Sequence, residues 1–444
     1  MKKGIFIAAA VLLSTIACGQ QADTSVATLN EVIVTPNKFQ QKQSETGKVV
    51  TLITQDQIQK NYGKSLAEIL NQQTGLTING ADNNLGTNPT VYLRGAASAN
   101  TLILMDGIPL YDASAISSEF DLNNFPLANI EKVEILKGAQ STLYGSDAVA
   151  GVINIITKQG EGKPLTLTAN LSAGSYNTYK GDLALSGKIS GGQTYLLSYS
   201  KISSDGISSA YDSTGQADFD KDGFEQDALF MNYGLNIKKL SVNTFAKYNS
   251  NRADIDAGLF ADDKDFTYHN RNFITGLTST LQMKNGHLKF QYAYNLFDRK
   301  FTDDSTDIGG YSAYQKGKYK GQSHLAEVYT TWLPGKGFEV LAGVDYRHNK
   351  TGQEYIYIPD YGFPAVPISD DSAISRQGSV YASLYFKQQK GFNFEIGGRL
   401  NHHNIYGTNA TYTFNPFFLI NNRIKIYSNI SSGYRVPSLY QLYS

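Results

Sequence analysis

Cysteine occurs once in 444 residues and tryptophan once, so neither a disulfide framework nor a cysteine-built zinc or iron–sulfur centre is available. Neither sign of charge is in excess: 39 basic and 39 acidic residues balance to +0, which removes the electrostatic footprint of a nucleic-acid-binding chain. No apolar run reaches the ~18 residues that a membrane-crossing helix needs. A β-barrel remains open as a way across a membrane. What the chain does have is 30 tyrosines and 22 phenylalanines, in a length that exceeds one ordinary domain.

The first residues read as an export signal. Met1-Lys2-Lys3 gives a basic start, Ile5 to Ile16 an apolar stretch, and Ala17-Cys18-Gly19 a small-residue cleavage site. The signal is therefore placed at 1–19, with the mature chain starting near Gln20. Cys18 as a lipid acceptor is the lesser alternative, because Thr15 stands where a leucine-like residue is expected. In 20–47, Asn30-Glu31-Val32-Ile33-Val34-Thr35-Pro36 is a brief β-prone run halted by proline between polar flanks. Such a strand either joins a sheet late or waits for a partner.

Residues 48–160 read as a compact α+β domain. Val49 to Ile53 is a strand, and Thr54-Gln55-Asp56-Gln57 and Ser65-Leu66-Ala67-Glu68 are capping boxes, each opening a short helix. Further strands are predicted at Val91 to Arg94, Thr101 to Met105, Ile130 to Lys137 and Val152 to Thr157. Asp106-Gly107 suits a tight hairpin turn, since glycine takes positive φ without penalty.

From residue 161 onward the pattern becomes alternating. Leu165, Leu167, Ala169, Leu171 and Ala173 interleave with Thr166, Thr168, Asn170 and Ser172, and about thirteen such strands follow, many near the ~10 residues that a tilted strand needs to cross a bilayer. Tight turns at 190–192, 238–239, 284–286, 334–336 and 421–422 interleave with long polar stretches at 203–226, 249–271, 302–322 and 349–376. Short turns on one side and long loops on the other mark an outer-membrane barrel rather than a soluble sandwich.

Together the residues resemble the TonB-dependent outer-membrane receptors. Glu31-Val32-Ile33-Val34-Thr35 resembles a TonB box. Val91-Tyr92-Leu93-Arg94-Gly95, Leu102 to Pro109, Ile130 to Gly138 and Leu143 to Ala148 running to Asn154-Ile155-Ile156-Thr157 resemble the family's plug. The resemblance implies an α+β plug followed by an antiparallel transmembrane β-barrel of roughly 22 strands, in the outer membrane of a Gram-negative bacterium. About thirteen strands is odd, whereas such barrels are even-stranded and closed, so the barrel is expected to continue beyond Ser444. Expected partners are TonB, outer-membrane lipid and a scarce large nutrient, with a monomer and no nucleic acid. No nucleophile–base pair or His/carboxylate metal spacing suggests an enzyme, and no redox or nucleotide cofactor is expected. Arg94, Glu131 and Glu134, charges within strand-like segments, are expected to find partners in a polar lumen.

Within the family the chain is most similar to cobalamin (vitamin B12) receptors. Asp218-Phe219-Asp220-Lys221-Asp222-Gly223 alternates carboxylates before a glycine, as hard-oxygen calcium loops do, although Leu229 occupies the position of the closing glutamate of an EF-hand. The resemblance carries a calcium site over to Asp205, Asp220, Asp222, Asp256 and Asp263, with Asp262 or Asp265 as replacements for Asp263. Substrate is expected at two plug apices, through Asp82, Asn83, Asn84 and Asn88 and through Asp112, Ser114, Ser117 and Ser118. A ferric-siderophore or haem receptor is the nearest alternative, the latter weakened by the scarcity of His and Tyr at the apices. A passive porin or a surface-binding protein would need neither plug nor box.

Overall fold

The structure, a computed structural model, describes residues 33–160, 162–215, 218–304, 312–335, 337–359, 373–388, 390–420 and 424–443. The export signal at 1–19 and Glu31 and Val32 lie outside the described residues.

Both capping boxes form. The Gln57 amide donates to Thr54 Oγ1 (3.4 Å) and Thr54 N to Gln57 Oε1 (2.8 Å), opening α1 (Gln55–Lys60). Ser65 and Glu68 repeat the exchange at α2 (Leu66–Asn71). The domain's strands are β1 (Val49–Ile53), β2 (Leu76–Asn79), β3 (Thr90–Leu93), β4 (Thr101–Met105), β5 (Ile108–Pro109), β6 (Ile130–Lys137) and β7 (Gly151–Thr157), with α3 (Ser141–Tyr144) between the last two. Five of them form one sheet in the order β1-β6-β7-β4-β5, in which only β4 and β7 run parallel. The β4–β5 turn has φ of 52° at Asp106 and 82° at Gly107, the doubly positive geometry that an Asp-Gly pair permits. The Asp106 carboxylate fixes the turn by accepting from Thr157 N (2.9 Å) and Thr157 Oγ1 (2.6 Å).

The second body is an antiparallel meander: β8 (Thr166–Gly174), β9 (Thr178–Ile189), β10 (Gln193–Ser204), β11 (Phe224–Ile237), β12 (Leu240–Asp254), β13 (Thr267–Met283), β14 (Gly286–Asp303), β15 (Ser312–Gly335), β16 (Phe338–Pro359), β17 (Ile374–Phe386), β18 (Gly391–His403), β19 (Gly407–Ile420) and β20 (Ile424–Tyr427). With β21 (Ile430–Ser431), which also pairs with β19, it is a 14-stranded sheet. Its polarity is inverted relative to a soluble sheet. On β11 the buried face carries Gln226 and Asn232 beside Phe230, while the exposed face carries Leu229, Met231 and Tyr233. An apolar outside and a mixed inside suit lipid around the wall.

Strands such as β15 and β16, at 24 and 22 residues, extend well into the stretches expected as loops. Hydrogen bonding along a ladder does not depend on side-chain polarity, so the strands continue past the apolar band.

The first body sits inside the second. Phe230, Phe245, Ile274, Ala293 and Phe297 of the wall belong to the same buried cluster as Ile108, Phe120 and Phe125. Asn124 Oδ1 accepts from Nδ2 of Asn249 (2.7 Å), Asn272 (3.0 Å) and Asn270 (3.4 Å). Glu134 is fully buried, whereas Arg94 lies exposed just past β3.

Candidate functional site

Two neighbouring loops, 205–223 and 255–266, gather carboxylates. Asp220, Asp256 and Asp262 each offer an oxygen within 4.8 Å of the others, and Asp263, Asp265 and Asp303 form a second such group. Asp256 ties the loops together: its carboxylate accepts from Ala210 N, from Ser208 Oγ at 3.3 Å and from Asp263 N at 3.1 Å. Asp222 is buried, with one oxygen accepting from Ser209 N. Its other oxygen and one oxygen each of Asp220 and Asp263 are buried without a hydrogen-bond partner.

This crowding shows in the acidities. Burial first, and the neighbouring Asp220 charge second, raise Asp262 to about 6. Burial first, with the Asp256 charge opposing ionisation as well, raises Asp222 to about 7. Burial likewise raises Asp263 to about 7, followed by its contact with Asp265 and the charge of Asp303.

Of the five carboxylates anticipated for a metal, Asp220 and Asp256 converge, Asp222 adjoins them, and Asp263 belongs to the second group. Asp205 stands apart: it is exposed, accepts from Asn177 Nδ2 at 2.7 Å and lies 3.8 Å from Lys221 Nζ. Asp262 completes the first group. Asp303, at the far end of β14, has no sequence signal that would tie it to these loops.

The apices differ from one another. Asp82, Asn83 and Asn88 are exposed, but Asn84 reaches the carboxylate loop, donating to Ile207 O (2.7 Å) and Asp222 O (2.9 Å). The chain there admits only glycine, because a Cβ on Gly206 would lie 1.9 Å from Asp222 O. At the other apex Asp112 and Ser114 are buried. Asp112 pairs with Arg299 (3.1 Å) and accepts from Ser114 Oγ (2.6 Å), while Arg299 also donates to Ser114 O (2.6 Å). These two residues anchor the apex to β14, leaving half-buried Ser117 and Ser118 towards the mouth.

At the other end, Ile33–Val34 is a two-residue strand. Thr35 donates to Glu134 on β6 through its amide (3.0 Å) and its hydroxyl. Lys38 pairs with Glu327 and lies over the rings of Tyr144, Tyr329 and Tyr381. Lys48 is buried 3.2 Å from Glu395, and burial lowers its pKa while Glu395 opposes the shift. No motif in the chain pointed to Lys38, Lys48, Glu327 or Glu395. The one usable signal was a carboxylate on the inward register of a wall strand.

A family model described as the TonB-dependent receptor plug domain matches residues 42–152, and one described as the TonB-dependent receptor-like β-barrel matches residues 203–444. Among curated proteins, the vitamin B12 transporter BtuB of Photobacterium profundum is 25% identical over 460 residues, covering 100% of this chain and 68% of its own. That of Vibrio cholerae is 26% identical, covering 93% and 64%. The chain thus spans about two-thirds of the length of these relatives. Among solved structures, the FpvAI–pyocin S2 complex aligns with a TM-score of 0.71 at 16% identity, over 90% of this chain and 57% of that one. A ferric enterobactin receptor of Pseudomonas aeruginosa aligns at 0.67 and 18%, over 88% and 63%. A plug threaded into the lumen of an outward-apolar sheet, matched by both family models over more than half of the chain, makes this protein a member of the TonB-dependent receptor family.

Proposed function

We propose that the protein takes part in active import of cobalamin across the outer membrane, with the work delivered by TonB acting on the segment around Ile33–Thr35. The observation that carries this reading is the filled lumen. A passive pore needs an open channel, whereas here passage requires the plug to move against Lys38–Glu327, Lys48–Glu395 and Asp112–Arg299. Breaking such pairs takes external work. The Ile33–Val34 strand suits β-addition to a partner's sheet edge, and Thr35 joins it to β6 of the plug.

Similarity to vitamin B12 transporters supports the substrate, as does the small, polar surface of the apices, which suits a ligand rich in amides. Asp220, Asp256 and Asp262, with Asp222 beside them, fit a hard divalent cation, because their clustered carboxylates repel one another unless neutralised, and Asp220 and Asp222 each keep a buried oxygen without a hydrogen-bond partner. Calcium there would neutralise the carboxylates and order both loops. Asn84 then joins that order to the first apex.

The test measures cobalamin binding and uptake by the complete receptor, with calcium and with chelator, in cells with and without TonB. Val34→Pro is expected to abolish uptake and leave binding intact, since proline removes a backbone donor from strand pairing. Uptake undiminished by Val34→Pro, or independent of TonB, refutes the coupling. Absence of cobalamin binding in any condition, with binding of a ferric siderophore instead, replaces the substrate.

A further inference from the structure

One lysine of the lumen has no counter-charge at hand. On β12 the inward residues are Phe245, Lys247, Asn249, Asn251 and Ala253, all of them buried. Lys247 is 2% exposed, and its Nζ is buried without a hydrogen-bond partner. Among the described residues, no carboxylate comes within ion-pair distance of it. Lysines almost never sit so far from water unless they are paired.

Its surroundings are apolar. The register sets Phe230 beside it on β11 and Ile274 beside it on β13. From the plug, the ring centre of Phe125 lies 4.9 Å from Nζ and that of Phe120 5.9 Å. These four residues and Phe245 belong to the buried cluster that joins plug to wall. Asp121, in the same plug turn, attracts Lys247 from beyond ion-pair distance, and its carboxylate accepts from Asn123 N at 2.8 Å.

The turn at 120–125 is thus gripped and opposed by neighbouring inward residues of one strand. Asn124 is held by Asn249, Asn270 and Asn272, and Gln226 Nε2 donates to Asn123 O at 2.8 Å. Those bonds favour the seated plug. Lys247, the next inward residue from Asn249, works the other way. Seating the turn strips water from an ammonium group and offers it two ring faces, which offset the desolvation less than a carboxylate would. Moving the turn away lets water return to Nζ. A methionine of similar length would instead extend the apolar cluster.

We propose that Lys247 is a release element, a charge that weakens the seating of the plug inside its apolar contact with the wall and so lowers the work of moving it. Its use in transport rests on the import reading, whereas its effect on seating needs no TonB. With an apolar residue in that position, every part of the cluster would resist the entry of water. One desolvated charge makes the same contact easier to open.

The test follows plug seating in the complete receptor in detergent without TonB, as the rate at which chymotrypsin cuts the plug in urea. Lys247→Met removes the charge, keeps the length of the side chain, and is expected to slow cutting on the order of 10-fold. Lys247→Arg keeps the charge and is expected to be cut no more slowly than wild type. A second measurement needs no variant: amine acetylation of the wild type should label Lys247 at least roughly 10-fold more slowly than exposed Lys239 while the plug is seated, and equally fast once urea has released it. Lys247→Met cut as fast as wild type, or faster, overturns the proposal, because the stem and the rings would then be holding the plug. Labelling of Lys247 at the rate of Lys239 in the seated receptor overturns it as well. Uptake in cells separates this inference from the import reading. Slower cutting with slower TonB-dependent uptake supports both, whereas slower cutting with unchanged uptake keeps the release element and removes plug movement from import.

Discussion

The lumen and the outer loops both gather carboxylates, and they place them in opposite surroundings. In the lumen five acids have a cation supplied by the chain: Glu327 has Lys38, Glu395 has Lys48, Asp147 has Arg347, Asp345 has Arg399 and Asp112 has Arg299. In the loops Asp220, Asp256 and Asp262 face one another. The lumen carries its own counter-charges, while the loop carboxylates are the place where the proposed calcium would supply them. Removing a carboxylate should accordingly harm one region and relax the other.

The largest expected effect lies in the lumen. Glu327→Gln leaves Lys38 buried without its counter-charge and should loosen the seating of the plug by about 3 kcal/mol, read as earlier release or proteolysis of the plug in urea. Unchanged release would show that the tyrosine rings around Lys38 suffice.

In the loops the sign reverses in chelator. Asp220→Asn with Asp256→Asn should protect the loops from proteolysis when calcium is absent, because repulsion is gone, yet should weaken calcium binding on the order of 100-fold. Limited proteolysis in chelator checks the first half and calcium titration by calorimetry the second. Equal affinity in wild type and variant would dissolve the contrast between the regions.

A smaller effect is expected at the joint between loop and plug. Asn84→Ala deletes three bonds, those to Ile207 O and Asp222 O and the one accepted from Ile207 N, worth about 1.5 kcal/mol together. The gain in cobalamin affinity produced by calcium should shrink about tenfold, with calcium affinity itself nearly unchanged.

The smallest effect is a matter of pH within the plug. Burial raises Asp106 to about 6 even though Thr157 donates to it. Its folded form thus favours the proton, and this contribution to stability is present below about pH 4 and lost as pH rises through 6. Asp106→Asn should flatten that slope, by about 1 kcal/mol or less after solvent screening, in urea melts taken between pH 4 and 7.

Local chemistry made much of this architecture legible. Thr54 and Ser65 announced their helices because a capping box is satisfied within four residues, and Asp106-Gly107 announced its turn because the φ requirement is local. The outward alternation of the wall survived because its period is two. Contacts across the lumen left no trace: Thr35 and Glu134 are 99 residues apart, and which inward charges meet depends on how the plug is rotated inside the wall. The same limit explains the carboxylates. Acidic loop composition pointed to these two loops, but that Asp262 rather than Asp263 joins Asp220 and Asp256 depends on the path of the folded loop, and Asp303 arrives from another strand. Asp112 and Ser114 read as open polar groups until Arg299 was seen to hold them.

From β8 to β19, each wall strand pairs with its successor. Every new strand therefore docks on the edge left by the one before it, and because closure entropy grows only slowly with loop length, even the longer connections keep the entropy lost per step modest. Assembly can run like a zipper in the direction of synthesis. The plug, at 48–160, precedes every one of those strands in the chain, so the object to be enclosed is made before its enclosure, and a growing edge can curl around a finished template.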